Sequence, residues 1–287
     1  HWQSQFPQEV LTQHPRAWLH FVRACYLTGN VQLAEQQMDL ATEALALFEA
    51  DDATLEELQA IASTSQATLA AYRGDVLRGL SLVEQVRALH SRRDDLDRMQ
   101  IAAAEVLIRY LKGDVAPARQ ACQDALVLAR EGANRFMVMD TQYYQSQLDF
   151  LAGDLDVAQT RCERLLEQHP SRPTPLIPLL VPLANVLYQR DHLVEAETLL
   201  RDAVSLAQLA NLPDTVFFAH IVLSDVLLAR GACDTAHAGI TQAREYAAHY
   251  RSQMLDGLIA AAEARVCLRC GDPGHAATWA AGYQQAG

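Results

Sequence analysis

Apolar residues recur every three or four positions along most of the chain, in stretches that short polar segments separate. This spacing places the apolar side chains on one face of an α-helix. The helix formers Ala, Leu, Glu, Gln and Arg dominate throughout, whereas 13 Gly and 10 Pro in 287 residues are too few for the frequent turns of an all-β chain. The pattern therefore predicts an all-α fold.

A turn signal recurs along the chain: a glycine, then Asp or Asn, then an apolar residue, with a small residue five positions after the glycine. The signal is complete near residues 29, 74, 113 and 153, and looser near residues 191, 231 and 271. The mean spacing of these seven turns is about 40 residues. A glycine in the left-handed conformation ends one helix, and the Asp or Asn caps the next. We therefore predict about seven two-helix units in a single solenoid over residues 1–287, wound as a right-handed superhelix.

The spacing within each unit resembles the tetratricopeptide repeat, and the resemblance covers nearly the whole chain. The shared features are a small residue early in the first helix, a bulky residue three positions before the turn such as Tyr26, Tyr110 or Phe150, and a small residue after the turn such as Ala118 or Ala158. The unit here is about six residues longer than the usual 34.

Longer repeats of this kind resemble those of MalT-type regulators of the LuxR class. The opening segments Phe6–Leu11 and His14–Leu19, and the later segments Leu193–Leu200 and Ala276–Ala280, are similar to parts of the helical-repeat region of that class. The resemblance implies a cytoplasmic transcription activator, with an ATPase of the signal-transduction type before this region and a helix-turn-helix domain after it. On that interpretation the chain is an excised middle region that senses an effector.

Composition excludes several other functions. The net charge is −12 and Lys112 is the only lysine, so a basic surface for direct nucleic-acid contact is not expected. A Walker A loop needs a lysine after glycine, but Lys112 precedes Gly113, so ATP is expected only in a missing N-terminal domain. No apolar run is long enough to cross a membrane, and no nucleophile, base and orienting residue recur together, which argues against an enzyme.

The six cysteines are expected to be reduced thiols in the cytoplasm, because disulfide frameworks belong to short secreted domains. Cys267 and Cys270 lie three positions apart on one helix, but a structural zinc ion needs four ligands, so no metal site is predicted. Pro173, Pro175, Pro178 and Pro182 are expected to delay the first helix of the fifth unit; a polyproline ligand for another domain is the alternative.

The tetratricopeptide resemblance implies that ligands bind the concave wall, through residues at set positions before each turn. We call the residues six positions before the seven turns the −6 row: Arg23, Thr68, Leu107, Gln147, Asn185, Asp225 and Arg265. Six of these seven are polar in otherwise apolar surroundings. Together with neighbouring positions, units four to six offer a candidate ligand site of Asp140, Tyr143, Gln147, Asn185, Tyr188, Phe218 and Asp225. The alternative is that a solvated wall is polar because water covers it.

The function predicted from these observations is effector sensing and protein interaction in a bacterial transcriptional activator, with a small inducer in the concave groove. The alternative is a free-standing tetratricopeptide adaptor that binds a peptide or a partner protein in the same groove. A groove that clamps a terminal carboxylate would align several cations, but the −6 row has only Arg23 and Arg265, which weakens that version of the alternative.

Overall fold

The computed structural model describes residues 12–88, 95–171, 174–248, 250 and 252–286. The segment Phe6–Leu11 and Pro173, both used in the sequence predictions, lie outside the described residues. The described residues form α-helices and one 3₁₀-helix, without a strand. The helices are α1 (Pro15–Leu27), α2 (Val31–Ala46), α3 (Asp52–Arg73), α4 (Val76–Ala88), α5 (Asp95–Lys112), α6 (Val115–Glu131), α7 (Arg135–Leu151), α8 (Leu155–Gln168), α9 (Leu180–Gln189), α10 (Leu193–Leu209), α11 (Pro213–Ala229), α12 (Cys233–Ala247), α13 (Gln253–Arg269) and α14 (Pro273–Ala286).

All seven turn residues have positive φ angles. The values are 77° at Gly29, 91° at Gly74, 78° at Gly113, 82° at Gly153, 62° at Asp191, 77° at Gly231 and 92° at Gly271. Each of these residues ends the first helix of a two-helix unit, and glycine suits the left-handed region because it has no Cβ. At the second turn, the backbone N–H of Asp75 donates to the carbonyl of Ala70 (2.8 Å), which satisfies an acceptor at the end of α3.

The expected capping by Asp or Asn occurs at only some turns. Asn30 accepts from the backbone N–H of Leu33 (3.3 Å), and Asp75 accepts from that of Arg78 (3.2 Å). Asp114 makes no such capping bond, because its carboxylate accepts from Lys112 Nζ at 2.6 Å instead. The sequence signal therefore locates the turns better than it predicts the partner of each cap.

The chain contains two compact units, residues 1–144 and 145–287, with the boundary inside α7. In the first unit the two helices of each hairpin pack together, and α3 also packs on both α1 and α5. In the second unit α11 packs in the same way on α9 and α13. The first helices of successive hairpins thus lie side by side, which is the packing of a helical-repeat protein.

Small residues after the turns allow the two helices of a hairpin to approach closely. The alanines at five of these positions have no exposed surface; they are Ala34, Ala118, Ala158, Ala196 and Ala236. At the remaining buried position, a Cβ added to Gly79 would lie 3.1 Å from both the Ala67 carbonyl oxygen and the Ile108 Cδ1 atom. The same position in the last hairpin, Ala276, is partly accessible.

The proline-rich segment delays the fifth unit, as predicted. Thr174–Leu179 forms a 3₁₀-helix that contains Pro178, and α9 begins at Leu180 with Pro182 in its first turn. Proline is tolerated there because the first turn needs no internal donor.

The expectation that all cysteines are reduced is wrong for two of them. Cys233 and Cys270 form a disulfide, with their Cα atoms 5.9 Å apart. A zinc site on Cys267 and Cys270 is therefore not formed, since Cys270 is bonded to Cys233. Cys25, Cys122, Cys162 and Cys267 are buried free thiols. None of the described helices combines the length and the hydropathy that a membrane crossing needs.

Candidate functional site

In the second unit, members of the −6 row from consecutive hairpins lie next to each other. Arg265 on α13 donates from Nε and Nη2 to the two carboxylate oxygens of Asp225 on α11, each at 3.0 Å. This bidentate geometry matches the planar guanidinium to the carboxylate. The two residues are 40 positions apart in the sequence, so the contact supports the repeat length and shows that the row is continuous between these two helices.

Four of the candidate ligand residues are half-buried on neighbouring first helices of the second unit. Asn185 and Tyr188 lie on α9, and Phe218 and Asp225 lie seven positions apart on α11, which α9 contacts. Two helical turns separate residues at that spacing, so Phe218 and Asp225 share one face of α11. The set offers an amide, a phenol, an aromatic ring and a carboxylate to a ligand. Arg265 adds a cation that the predicted site lacked.

Gln147 is the least accessible member of the predicted site. It belongs to the second unit, and only 7% of its surface is exposed. On the same helix, Asp149 accepts from Arg161 Nε at 2.9 Å, and Gln145 accepts from Arg161 Nη1 at 3.1 Å. The polar residues at this end of α7 therefore contribute to the packing of α7 on α8, whether or not they also bind a ligand.

Asp140 and Tyr143 belong to the first unit, on the preceding turns of α7. The ring of Tyr143 lies edge-on to that of Tyr144, with centroids 5.1 Å apart, and Tyr144 packs similarly on Tyr110 at 5.5 Å. Tyr143 is thus part of an aromatic cluster rather than an isolated stacking surface. Although part of Asp140 stays accessible, burial of its carboxyl raises the pKa of Asp140 to about 6.

This raised pKa predicts that Asp140→Asn increases the stability of the first unit at neutral pH by about 1–3 kcal/mol. The unfolded carboxyl has an ordinary pKa near 3.8, so the parent loses stability as the pH rises through the interval from about 4 to 6, where the folded carboxyl ionises. Urea denaturation at pH 4, 5, 6 and 7 should show a gap between variant and parent that widens with pH and then levels off. A gap that is the same at every pH would contradict the role of burial.

A cleft in the first unit was not among the predicted sites. It lies between α1, α3 and α5, is open to solvent and has a cavity volume of about 10 Å³, enough for about one water molecule. Its lining includes Arg23 of the −6 row, together with Tyr26, Thr64, Ser65, Asp97 and Gln100. Burial raises the pKa of Tyr26, and the hydrogen-bonding side chains of Ser65, Arg23 and Thr68 near its hydroxyl act in the opposite direction. Because its volume is close to that of one water molecule, the cleft is a weaker ligand candidate than the row in the second unit.

Comparison with known proteins gives similarity at the level of structure. No protein-family profile matches the chain, and no curated protein sequence matches it significantly. The Rap conjugation gene regulator of plasmid pLS20 in complex with the Phr* peptide superposes with a TM-score of 0.68 at 12% identity, covering 95% of this chain and 84% of that one.

Two further solved structures support the same fold. NprR in complex with its cognate peptide NprX gives a TM-score of 0.67 at 12% identity, over 88% of this chain and 72% of that one. A tetratricopeptide repeat protein from Parabacteroides merdae gives 0.51 at 13% identity, over 93% and 91%. Together with the repeated hairpins described above, these similarities show that the chain has an all-α, tetratricopeptide-like helical-repeat fold.

Proposed function

We propose that the chain is a regulatory binding domain that takes up a linear peptide, or an extended segment of a partner protein, on the −6 row of the second unit. The observation that carries the proposal is the arrangement of three polar side chains on three adjacent first helices: half-buried Asn185 and Asp225, and exposed Arg265, which bonds Asp225. Structural neighbours with this fold bind peptides: NprR binds NprX, and the pLS20 Rap regulator binds Phr*. These complexes favour the peptide-binding alternative over the small inducer that the sequence suggested first.

The chemistry of the row suits a peptide backbone. The Asn185 amide donates and accepts, so it can bond both the N–H and the C=O of one extended residue. Tyr188 and Phe218 supply aromatic surface for side chains, and the Asp225–Arg265 pair presents one charge of each sign. With a net charge of −12, the chain favours peptides that carry no excess negative charge. No cofactor takes part in this mode of binding.

The proposed context remains a larger regulator, in which occupancy of the row changes the activity of neighbouring domains. A ligand achieves this only if it binds one conformation of the regulator better than another. The ATPase and helix-turn-helix domains of MalT-type regulators are one such context, and a free-standing adaptor that presents the row to a partner is the other.

The proposal predicts that Asn185→Ala weakens peptide binding about 5- to 150-fold, because a buried peptide group loses its hydrogen-bond partner. A thermal-shift screen of pooled linear peptides of six to ten residues, with sugars and amino acids as separate pools, identifies the ligand class. Calorimetric titration then gives the dissociation constants of the parent and the variant.

Gln242→Ala is the matched control, since Gln242 is an exposed amide on α12, a second helix that carries no member of the −6 row. It should leave the dissociation constant unchanged. If Asn185→Ala and Asp225→Ala both bind like the parent, the row is not the binding site. If only the small-molecule pools raise the melting temperature, the inducer-sensing function replaces the peptide-binding one.

A further inference from the structure

Consecutive two-helix units are linked by a recurring contact at the turns. At three turns the residue just before the turn residue is an arginine, and it forms an ion pair with an acidic side chain on the second helix of the preceding unit. These pairs are Arg73 with Glu35, Arg190 with Asp156, and Arg230 with Glu197. The partners are 33 to 38 positions apart, close to one repeat length. The contact therefore links each of these three turns to the unit before it.

At the last turn the same position is Cys270, directly before Gly271, and its partner is Cys233 at the start of α12 in the preceding unit. The sequence separation of 37 residues falls within the range of the ion pairs. A disulfide thus replaces the arginine–carboxylate contact. Both cysteines are partly accessible, whereas the four free cysteines are buried.

We propose that Cys233 and Cys270 form a reversible redox site that reacts with small thiols and disulfides and sets how firmly the last two-helix unit is held to the rest of the second unit. In the oxidised state the tether at this turn is covalent. In the reduced state it is lost, because two neutral thiols cannot replace the ion pair that the other turns use.

The exchange is a thiol–disulfide reaction in two balanced steps. A thiolate from a small monothiol attacks the Sγ atom of Cys270, forms a mixed disulfide with it and releases the Cys233 thiolate. A second thiolate attacks the outer sulfur of the mixed disulfide, which yields the small disulfide and the Cys270 thiolate, and both protein thiolates take up protons. The reverse sequence, with the small disulfide as oxidant, restores the bond.

The direction of the first attack follows from where the sulfurs lie. Cys233 is the first residue of the 15-residue helix α12, where the helix dipole favours a leaving thiolate, and Cys270 is the C-cap of α13, where the dipole disfavours one. Attack on Cys270 therefore has the better leaving group. Asp234, the next residue of α12, reduces this advantage but does not reverse the order of the two helix ends.

Reduction should loosen the last unit without unfolding it. Arg265 still bonds Asp225, and Arg244 still pairs with Glu263, but the arginines of both pairs are about half exposed, and exposed pairs contribute little. Ile259, Ala262 and Val266 of α13 remain buried. Because α13 also supplies Arg265, the redox state of the tether acts on the position of one member of the −6 row.

The test compares the melting temperature with and without reductant. We expect the parent to melt roughly 5–10 °C lower after incubation with reduced glutathione or dithiothreitol, and to recover after oxidised glutathione. Cys233→Ala, Cys270→Ala and the double variant should all melt like the reduced parent and show no response to reductant. Cys267→Ala removes a thiol from the same helix but leaves the bridge intact, so it should keep the full response.

Two further measurements identify the bonded cysteines and the helices that loosen on reduction. Differential alkylation and peptide mass mapping should recover a Cys233–Cys270 peptide before reduction, and hydrogen exchange should rise in α13 and α14 after it. Any of three results would overturn the proposal: oxidised glutathione fails to form the bond, the bond in the folded protein resists reductant, or the melting temperature of the parent is the same in both redox states. None of these readouts uses a ligand, so they stand apart from the peptide-binding experiments.

Discussion

Replacing Trp18 with alanine is expected to lower the free energy of unfolding of the first unit by about 3–5 kcal/mol. Trp18 on α1 has 1% of its surface exposed and is the largest fully buried side chain among the residues that the structure describes. Its indole Nε1 donates to the Gln37 Oε1 atom on α2 at 2.9 Å. Alanine leaves a large cavity between the two helices and removes the donor. Urea denaturation followed by circular dichroism measures the loss.

Trp18→Phe separates the two contributions. Phenylalanine keeps most of the ring volume but cannot donate to Gln37, so a smaller loss of about 1–2 kcal/mol is expected. Equal losses for the two variants would assign the effect to the hydrogen bond instead of the packing. An unchanged urea midpoint for Trp18→Ala would contradict the buried position of the side chain.

The turn positions could be predicted because the signal is local. The turn residue that adopts a positive φ is glycine at six of the seven turns, and a small residue follows five positions later at all seven. The φ angles at Gly29 and Gly153 are examples of this local signal. Cap partners are less local. At Asp114 a lysine two positions away competes for the carboxylate, and a periodic pattern contains no information about such competition.

The disulfide was not predicted because disulfide frameworks are typical of short secreted domains and because its two cysteines are distant in the sequence. Cys267 and Cys270 are three positions apart, a spacing found in metal sites. Cys233 lies 37 residues before Cys270, its disulfide partner. Stacked hairpins bring together residues that are about one repeat apart. The Asp225–Arg265 pair, 40 residues apart, follows the same rule. Pairs of residues that can bond to each other and lie about one repeat apart are therefore the sequence signal of both contacts.

That the candidate residues bind a ligand stays a prediction, and the repeat pattern indicates only which of them lie on neighbouring helices. The −6 row correctly placed Asp225 beside Arg265, since that relation depends only on the repeat. Burial of Gln147 and the contact of Tyr143 with Tyr144 depend on how side chains fill the space between particular helices. Periodicity identifies the face of a helix, but the accessible fraction of each side chain follows from packing.

Alanine substitution of the adjacent residues Phe217 and Phe218 should lower the stability of the second unit by different amounts. Phe217 has no exposed surface, and its loss is expected to cost about 3–5 kcal/mol of the stability of the second unit. Phe218 is half-buried on the face that also carries Asp225, and its ring packs edge-on to Phe217 with centroids 5.0 Å apart. Its removal loses that contact, worth about 0.5–1.5 kcal/mol, and the burial of only part of a ring, so a smaller loss of stability than for Phe217→Ala is expected.

For peptide binding, the larger effect is expected from Phe218→Ala and the smaller one from Phe217→Ala. Phe218→Ala removes an aromatic surface from the proposed peptide site, so the dissociation constant of a peptide found in the screen should rise about 5- to 30-fold. Phe217→Ala does not touch the site, and at a temperature where the variant remains folded it should bind nearly as the parent does. Urea denaturation and calorimetric titration of both variants test the two halves of this contrast. If Phe218→Ala binds the peptide unchanged while Phe217→Ala is destabilised as expected, the packing of α11 is correct but its accessible face does not bind the ligand.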